Sequence, residues 1–410
     1  MTHLDMTFVR DQFPAFAEPD LKDAVFMENA GGSFMCRQVM DRLETYYREC
    51  KVQPYYPNPV SMKAGAMMDE AYPSLARWLN VSPEEVYFGP STSQNSSVLS
   101  RAVLGWLQPG DEIIVTDQDH EANSGCWRRL TREGIAVKEW RIDPATGSLD
   151  PAALEALFTA KTRLLAFPHC SNILGEINPV ADICRAARER GVRTVVDGVS
   201  YAGHGLPDAR ALGADIYLFS LYKVYGPHQG VMVIAPDMAE CLANQGHFFH
   251  EGVRVKRLMP AGPDHAQIAS VKGVSDYFDA LFAHHGGDPG ASDGHKAEAV
   301  RALLKEGEQP AMAALLDYIA GKKALRLIGP ADIARRNPTI SAVPEGRTPW
   351  ELAGLLGERG ILCGAGHFYS VRPLTALGID PERGVLRFSL VHYTAKEDVE
   401  RLIKELDELL

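Results

Sequence analysis

The sequence predicts an α/β protein, a mostly parallel sheet covered by helices, with a smaller α+β unit at its C-terminal end. Three observations carry this expectation. Short apolar runs recur from about residue 85 to 235, amphipathic stretches separate them, and the alternation then gives way to helices with two extended segments. Strand-like runs that alternate with helices are those of crossover-linked strands, which lie parallel in one sheet. At 410 residues the chain also exceeds the roughly 250–300 residues at which a single core stops growing, so two domains are expected.

In chain order the strand candidates are Val86–Phe88, Glu112–Val115, Ala136–Trp140, Leu164–Phe167, Arg193–Val196 and Ile216–Phe219. Between them Pro151–Phe158 and Val180–Arg190 place apolar residues on one helical face, and each closes on a turn-forming or Gly-containing link, as crossover helices do. The stretch His284-His285-Gly286-Gly287-Asp288-Pro289-Gly290 breaks the pattern and reads as an exposed loop. Beyond it come helices near 295–322, an extended Arg336–Val343, a helix over Thr348–Arg359, the strand-like Gly384–Leu390 and a final helix from Lys396.

Composition narrows the function. A formal charge of −11, from 53 acids against 42 bases with no basic block, excludes a surface built to track a phosphate backbone, so no nucleic-acid partner is expected. No segment approaches the roughly 20 uninterrupted apolar residues that span a bilayer, so no membrane partner is expected either. The N-terminal stretch carries an early acid and no apolar run of signal length; the cytoplasm is the expected location. Seven scattered cysteines without a C-x-x-C pair fit reduced thiols, and no metal site is expected.

The chemistry concentrates at strand ends. Lys223 closes Ser220-Leu221-Tyr222-Lys223 after one apolar run, and Asp197 ends the run before it. Ligands of open α/β sheets bind beyond the carboxyl ends of strands, where both residues fall. A lysine amine, a carboxylate and a hydroxyl there match pyridoxal phosphate, which needs an amine for a Schiff base, an acid at its pyridine nitrogen and donors for its phosphate. Upstream, Gly89–Ser96 places hydroxyls and free N–H groups at a helix start, an anion site. Asp119-His120-Glu121-Ala122-Asn123 puts an imidazole past another strand, and Ser171-Asn172-Ile173-Leu174-Gly175 an amide past a third. Alone, each has an ordinary reading as a cap, a surface histidine or an Asn turn; their order and spacing are specific.

In that order the five segments resemble the class V aminotransferase family of fold-type I pyridoxal phosphate enzymes, and within it the cysteine desulfurase-like branch. The resemblance runs from Phe26-Met27-Glu28-Asn29-Ala30-Gly31-Gly32-Ser33 to Tyr393. It implies a large domain over residues 21–270 with a mostly parallel seven-stranded sheet and helices on both faces, and a small C-terminal α+β domain over 271–410. Residues 1–20 would pack with the small domain. It further implies a homodimer with active sites near the subunit interface, acting on a small amino-acid substrate.

By motif, Lys223 would carry the cofactor and move protons, His120 would stack on its ring, Asn172 would touch its phenolic oxygen and Asp197 would pair its ring nitrogen. Thr92, Ser93 and Ser220 would hold the phosphate, with Ser200 also in the cofactor pocket. Arg387, in Leu386-Arg387-Phe388-Ser389, matches the arginine that clamps the substrate carboxylate, and Asn29, Ala30, His367 and Tyr369 would line the substrate side.

The chain departs from the family where the substrate lies. Tyr369 stands in Gly364–Tyr369 where desulfurases carry a nucleophilic cysteine, and Cys363 lies six residues earlier. Ser200 replaces the usual Gln or His, Tyr222 replaces the usual His before the lysine, and Pro260–His265 lacks the threonine lent to a neighbouring subunit's phosphate. The expected reaction is therefore a desulfurase-like lyase step without a persulfide relay. Transamination is the alternative, and epimerisation with Tyr369 or His367 as a second acid is the least favoured.

Overall fold

The computed structural model describes residues 3–410; Met1 and Thr2, which begin the expected N-terminal segment, lie outside them. Among the described residues the strands are, in chain order, β1 (Val25–Phe26), β2 (Val86–Gly89), β3 (Glu112–Thr116), β4 (Ala136–Trp140), β5 (Thr162–Pro168), β6 (Arg193–Asp197), β7 (Ile216–Ser220), β8 (Gly230–Ile234), β9 (Leu325–Ile328), β10 (Thr339–Pro344), β11 (Ile361–Leu362), β12 (Gly364–Gly366) and β13 (Val385–Ser389).

Seven of them form the central sheet in the order β2-β8-β7-β6-β5-β3-β4. The pairs β3·β4, β3·β5, β5·β6 and β6·β7 are parallel, and only β8 runs against its neighbours β2 and β7. The expected fold class is thus the observed one. All six strand candidates are strands; β8 is the one the reading passed over, its run of four apolar residues sitting close behind the Gly226–Gly230 turn.

Alternation explains why these strands read as continuous apolar runs. On β5, β6, β7 and β8 the residues Leu165, Phe167, Val196, Tyr217, Phe219 and Val231 face one core, whereas Leu164, Ala166, Val195, Ile216, Leu218 and Met232 face the other. Both faces of a mostly parallel sheet are covered by helices, so neither side of these strands can be polar.

The second unit is a four-stranded antiparallel sheet, β12-β13-β10-β9, with its own core of Leu315, Ile340, Leu352, Phe388, Leu402 and neighbours. Helix Lys272–His284 buries Val274, Tyr277, Phe278 and Leu281 in the large core, and the region 295–322 is one helix, Asp293–Gly321. That helix gives Val300 and Leu304 to the large core and Leu315 and Ile319 to the small one, so it joins the two cores. The segment near the N-terminus likewise puts Val9 and Phe13 in the large core while Arg10 pairs with Asp398 of the last helix. The His284–Gly290 stretch is mostly exposed, as expected, but His285 is buried and accepts a hydrogen bond from Asp5 N at 2.9 Å, and His284 stacks on Phe8 at 3.7 Å.

Candidate active site

Because β2, β3, β5, β6 and β7 run the same way, their carboxyl ends share one edge of the sheet, and each delivers one segment of the site. After β2 the chain turns at Ser91, whose hydroxyl caps helix Thr92–Ala102 by accepting from Gln94 N at 3.3 Å. Thr92 Oγ1 lies 2.7 Å from Ser220 Oγ at the end of β7, joining two of the expected phosphate ligands. This approach needs two glycines: a Cβ on Gly89 would sit 1.9 Å from Asn95 Oδ1, and one on Gly230 would sit 2.6 Å from the Ser91 carbonyl carbon. Free N–H groups and the positive end of an 11-residue helix suit this turn to an anion such as a phosphate.

Lys223, Asp197, His120, Asn172, Thr92 and Ser220 line one cleft, and Ser93 and Ser200 complete its wall. The sequence reading named every one of these. Burial sets their protonation. It lowers the Lys223 ammonium to about 8, with Arg387 adding to the effect and Asp197 opposing it. It raises the Asp197 carboxyl to about 6, against a 2.9 Å hydrogen bond from Val199 N and the charge of Lys223. It lowers His120 to about 3, and Nδ1 of that ring accepts from Ala122 N at 3.1 Å, so the imidazole is neutral with its proton on Nε2.

These groups fit pyridoxal phosphate. A buried amine of lowered basicity suits covalent attachment, a buried acid suits a protonated ring nitrogen, a neutral imidazole suits a flat aromatic face, and the Thr92–Ser220 hydroxyls with the helix start suit the phosphate.

The substrate side is arranged differently from the expectation. Asn172 is engaged by the 367–370 loop: its Nδ2 donates to Phe368 O at 3.0 Å and its Oδ1 accepts from Ser370 Oγ at 2.7 Å. Arg387 does not present a free guanidinium. Its Nη2 donates to Glu28 Oε1 at 2.6 Å, its Nη1 to Asn172 O at 3.2 Å, and the Phe368 ring covers it at 3.6 Å. Asn29 is held by Ser389 O and Tyr393, and with Ala30 it lines a smaller adjoining pocket that reaches Lys223. Tyr369 is exposed, its ring 5.3 Å from that of His120, and its backbone N donates to His367 Nδ1 at 3.0 Å. Neither His367 nor Tyr369 lines the cleft. Burial and the Glu28 charge push the Cys363 thiol up to about 12, so it is no ready nucleophile. Glu28 is the residue the sequence reading missed; its only signal was an acid inside the Phe26–Ser33 motif.

A lysine and an acid converging on a phosphate cradle at the carboxyl edge of this sheet define a fold-type I, pyridoxal phosphate-dependent enzyme. Comparison with known proteins agrees, and the chain belongs to the aminotransferase class-V family, whose model matches residues 25–246 and 298–402. It is 34% identical to the aminotransferase-like protein FGM3 of Gibberella zeae, with 98% of each chain covered. It is 30% identical to a probable cysteine desulfurase of Pseudomonas aeruginosa, covering 98% of this chain and 97% of that one. The fold matches the cysteine desulfurase CsdA of Escherichia coli with a TM-score of 0.82 over 100% of both chains, at 22% identity.

Proposed function

We propose that this enzyme cleaves a bond at or beyond the Cα of a small amino-acid substrate, as a desulfurase-like lyase without a cysteine relay. The observation that carries the reading is a buried, low-basicity Lys223 in the cleft together with a Cys363 that lies outside the cleft lining and holds its proton. Bound pyridoxal phosphate supplies the electron sink that accepts the substrate's Cα electrons. Asp197 would keep the ring nitrogen protonated, and His120 would pack its neutral imidazole on the ring. Thr92, Ser93 and Ser220 would hold the phosphate at the helix start. Lys223 would take a proton from the substrate Cα and return it; an amine titrating near 8 works as both base and acid near neutral pH.

A second copy of the chain fits the face that carries exposed Tyr55, Tyr56, Phe248 and Phe249, and a cavity of about 720 Å³ beside Ser91, Gln94 and Pro260–Asp264 opens next to the phosphate turn. The homodimer expected from the family is our reading of that face. We place the enzyme in the cytoplasm, where its seven unpaired thiols stay reduced. Among the described residues no helix is long and apolar enough to cross a membrane.

The test is a panel of amino acids and their derivatives assayed in parallel for sulfide, pyruvate, alanine and 2-keto acids. Sulfide and ammonia released with pyruvate, or alanine formed with sulfur that an added thiol reductant converts to sulfide, supports the lyase. Transamination is the second reading, favoured by the 34% identity to an aminotransferase-like protein; a 2-keto acid formed with transfer of the amino group to an acceptor would replace the lyase by it.

A further inference from the structure

Arg387 is the cation that a substrate carboxylate is expected to meet, yet its charge is already paired by Glu28 and both terminal nitrogens donate within the protein. Glu28 holds Nη2, the Asn172 carbonyl holds Nη1, the Phe368 ring lies on the guanidinium face, and 3% of the side chain is exposed. The seat of Glu28 is built into the backbone. A Cβ on Gly31 would sit 2.5 Å from Oε1 and one on Gly364 would sit 2.3 Å from Oε2, so any larger residue at either position displaces the carboxylate. Its Cα is also fixed, because Glu28 bridges Ser389, two residues past Arg387 on β13.

The other charges around the cleft leave a free carboxylate no better partner. Lys223 shares the cleft with Asp197, Arg372 lies 3.3 Å from Glu121, and Arg336 donates to the carbonyls of Leu174, Ile328 and Thr339. A bound phosphate adds further negative charge. Two buried atoms of the pair remain without partners, the acceptor Glu28 Oε2 and the donor Arg387 Nε. A carboxylate offers acceptors only, whereas a carboxamide offers an N–H and a carbonyl oxygen together.

We propose that Glu28 stands in for a substrate carboxylate at Arg387, so that the site takes a small amino-acid derivative whose acyl end is uncharged, with a carboxamide as the best match. The proposal rests on the cofactor site described above and names the substrate's other end. The amide N–H meets Glu28 Oε2 and its oxygen meets Arg387 Nε, once Phe368 turns off the guanidinium. A free carboxylate must instead expel Glu28 or sit beside it as a like charge, and a charge-assisted pair broken at a buried arginine is costly. Glu28 is thereby a specificity-determining residue that works through Arg387.

The test is equilibrium binding of L-alaninamide and L-alanine to the holoenzyme by titration calorimetry. The wild type is expected to bind the amide at least as tightly as the acid. In Glu28→Gln the acid is expected to bind at least roughly tenfold more tightly than to wild type, while the amide, which loses its acceptor at Oε2, binds less tightly than to wild type. Glu28→Asp, which keeps the charge but draws it back, is expected to fall between them. A wild type that prefers alanine by about tenfold or more overturns the proposal, and so does an acid affinity unmoved in Glu28→Gln. Binding of neither amine to a protein that retains cofactor also overturns it. Should Glu28→Gln fail to fold, the wild-type preference decides alone. Failure of the cofactor reading shows separately, as wild-type protein that retains no pyridoxal phosphate.

Discussion

Replacing Lys223 by Met should stabilise the cofactor-free protein, and the structure gives the size of the effect. The ammonium is fully buried and its pKa drops from 10.5 to about 8, chiefly through desolvation. Below pH 8 the folded state must carry this charge in a site that disfavours it. At 1.36 kcal/mol per pH unit, the gap corresponds to about 3 kcal/mol. The sign follows from proton counts. Between about pH 8 and 10.5 the unfolded chain holds a proton on this lysine that the folded chain has lost, so stability rises with pH across that window. Methionine has similar length and no charge, so Lys223→Met should gain up to about 3 kcal/mol at pH 7 and lose the rise above pH 8. Thermal denaturation of wild-type and variant apoprotein at pH 7 and pH 10 reads both effects. A variant no more stable than wild type at pH 7, or one that keeps the full alkaline rise, refutes the claim that Lys223 is held in a desolvated, functional state.

Asp197→Asn should act in the opposite window: the folded carboxyl titrates near 6 rather than 3.8, so wild-type apoprotein loses stability as pH rises between those values and the variant should not; denaturation at pH 4 and 7 checks it. Gly230→Ala would place a Cβ 2.6 Å from the Ser91 carbonyl carbon, an overpacking of about 1–3 kcal/mol that shifts the phosphate turn. Equilibrium dialysis should then show cofactor affinity weakened by about tenfold or more. Cys363→Ala should leave the rate of product formation within about twofold of wild type, since a thiol held near 12 supplies no thiolate; a collapse of sulfide release would restore the persulfide relay.

The large unit was legible because its information is local. Each strand run is apolar on both faces, and each site segment is the few residues that follow a strand, so order along the chain reproduces order along one sheet edge. Strand β8 escaped notice because it follows directly on the Gly226–Gly230 turn and reverses direction within a parallel pattern. That helix Asp293–Gly321 serves two cores was not legible, because it is apolar along both halves and only the packing shows which core each half joins. Arg387 was visible as a motif, but its pairing with Glu28 joins positions 359 residues apart, and Gly31 and Gly364 make room for it from two separate segments. The loop that holds Asn172 depends likewise on contacts between Asn172 and Phe368 and Ser370 that no spacing rule encodes. Chemistry fixed at strand ends could be read; chemistry made where the two units meet could not.

The central claim is that Lys223 is the cofactor anchor of a family enzyme whose cleft is otherwise complete. Reductive trapping of the holoenzyme with borohydride, followed by peptide mass mapping, tests it directly. The account predicts one pyridoxyl-phosphate adduct, on the peptide containing Lys223, and none in Lys223→Met. An adduct on any other lysine, or an unmodified Lys223 in protein that retains the cofactor, contradicts it.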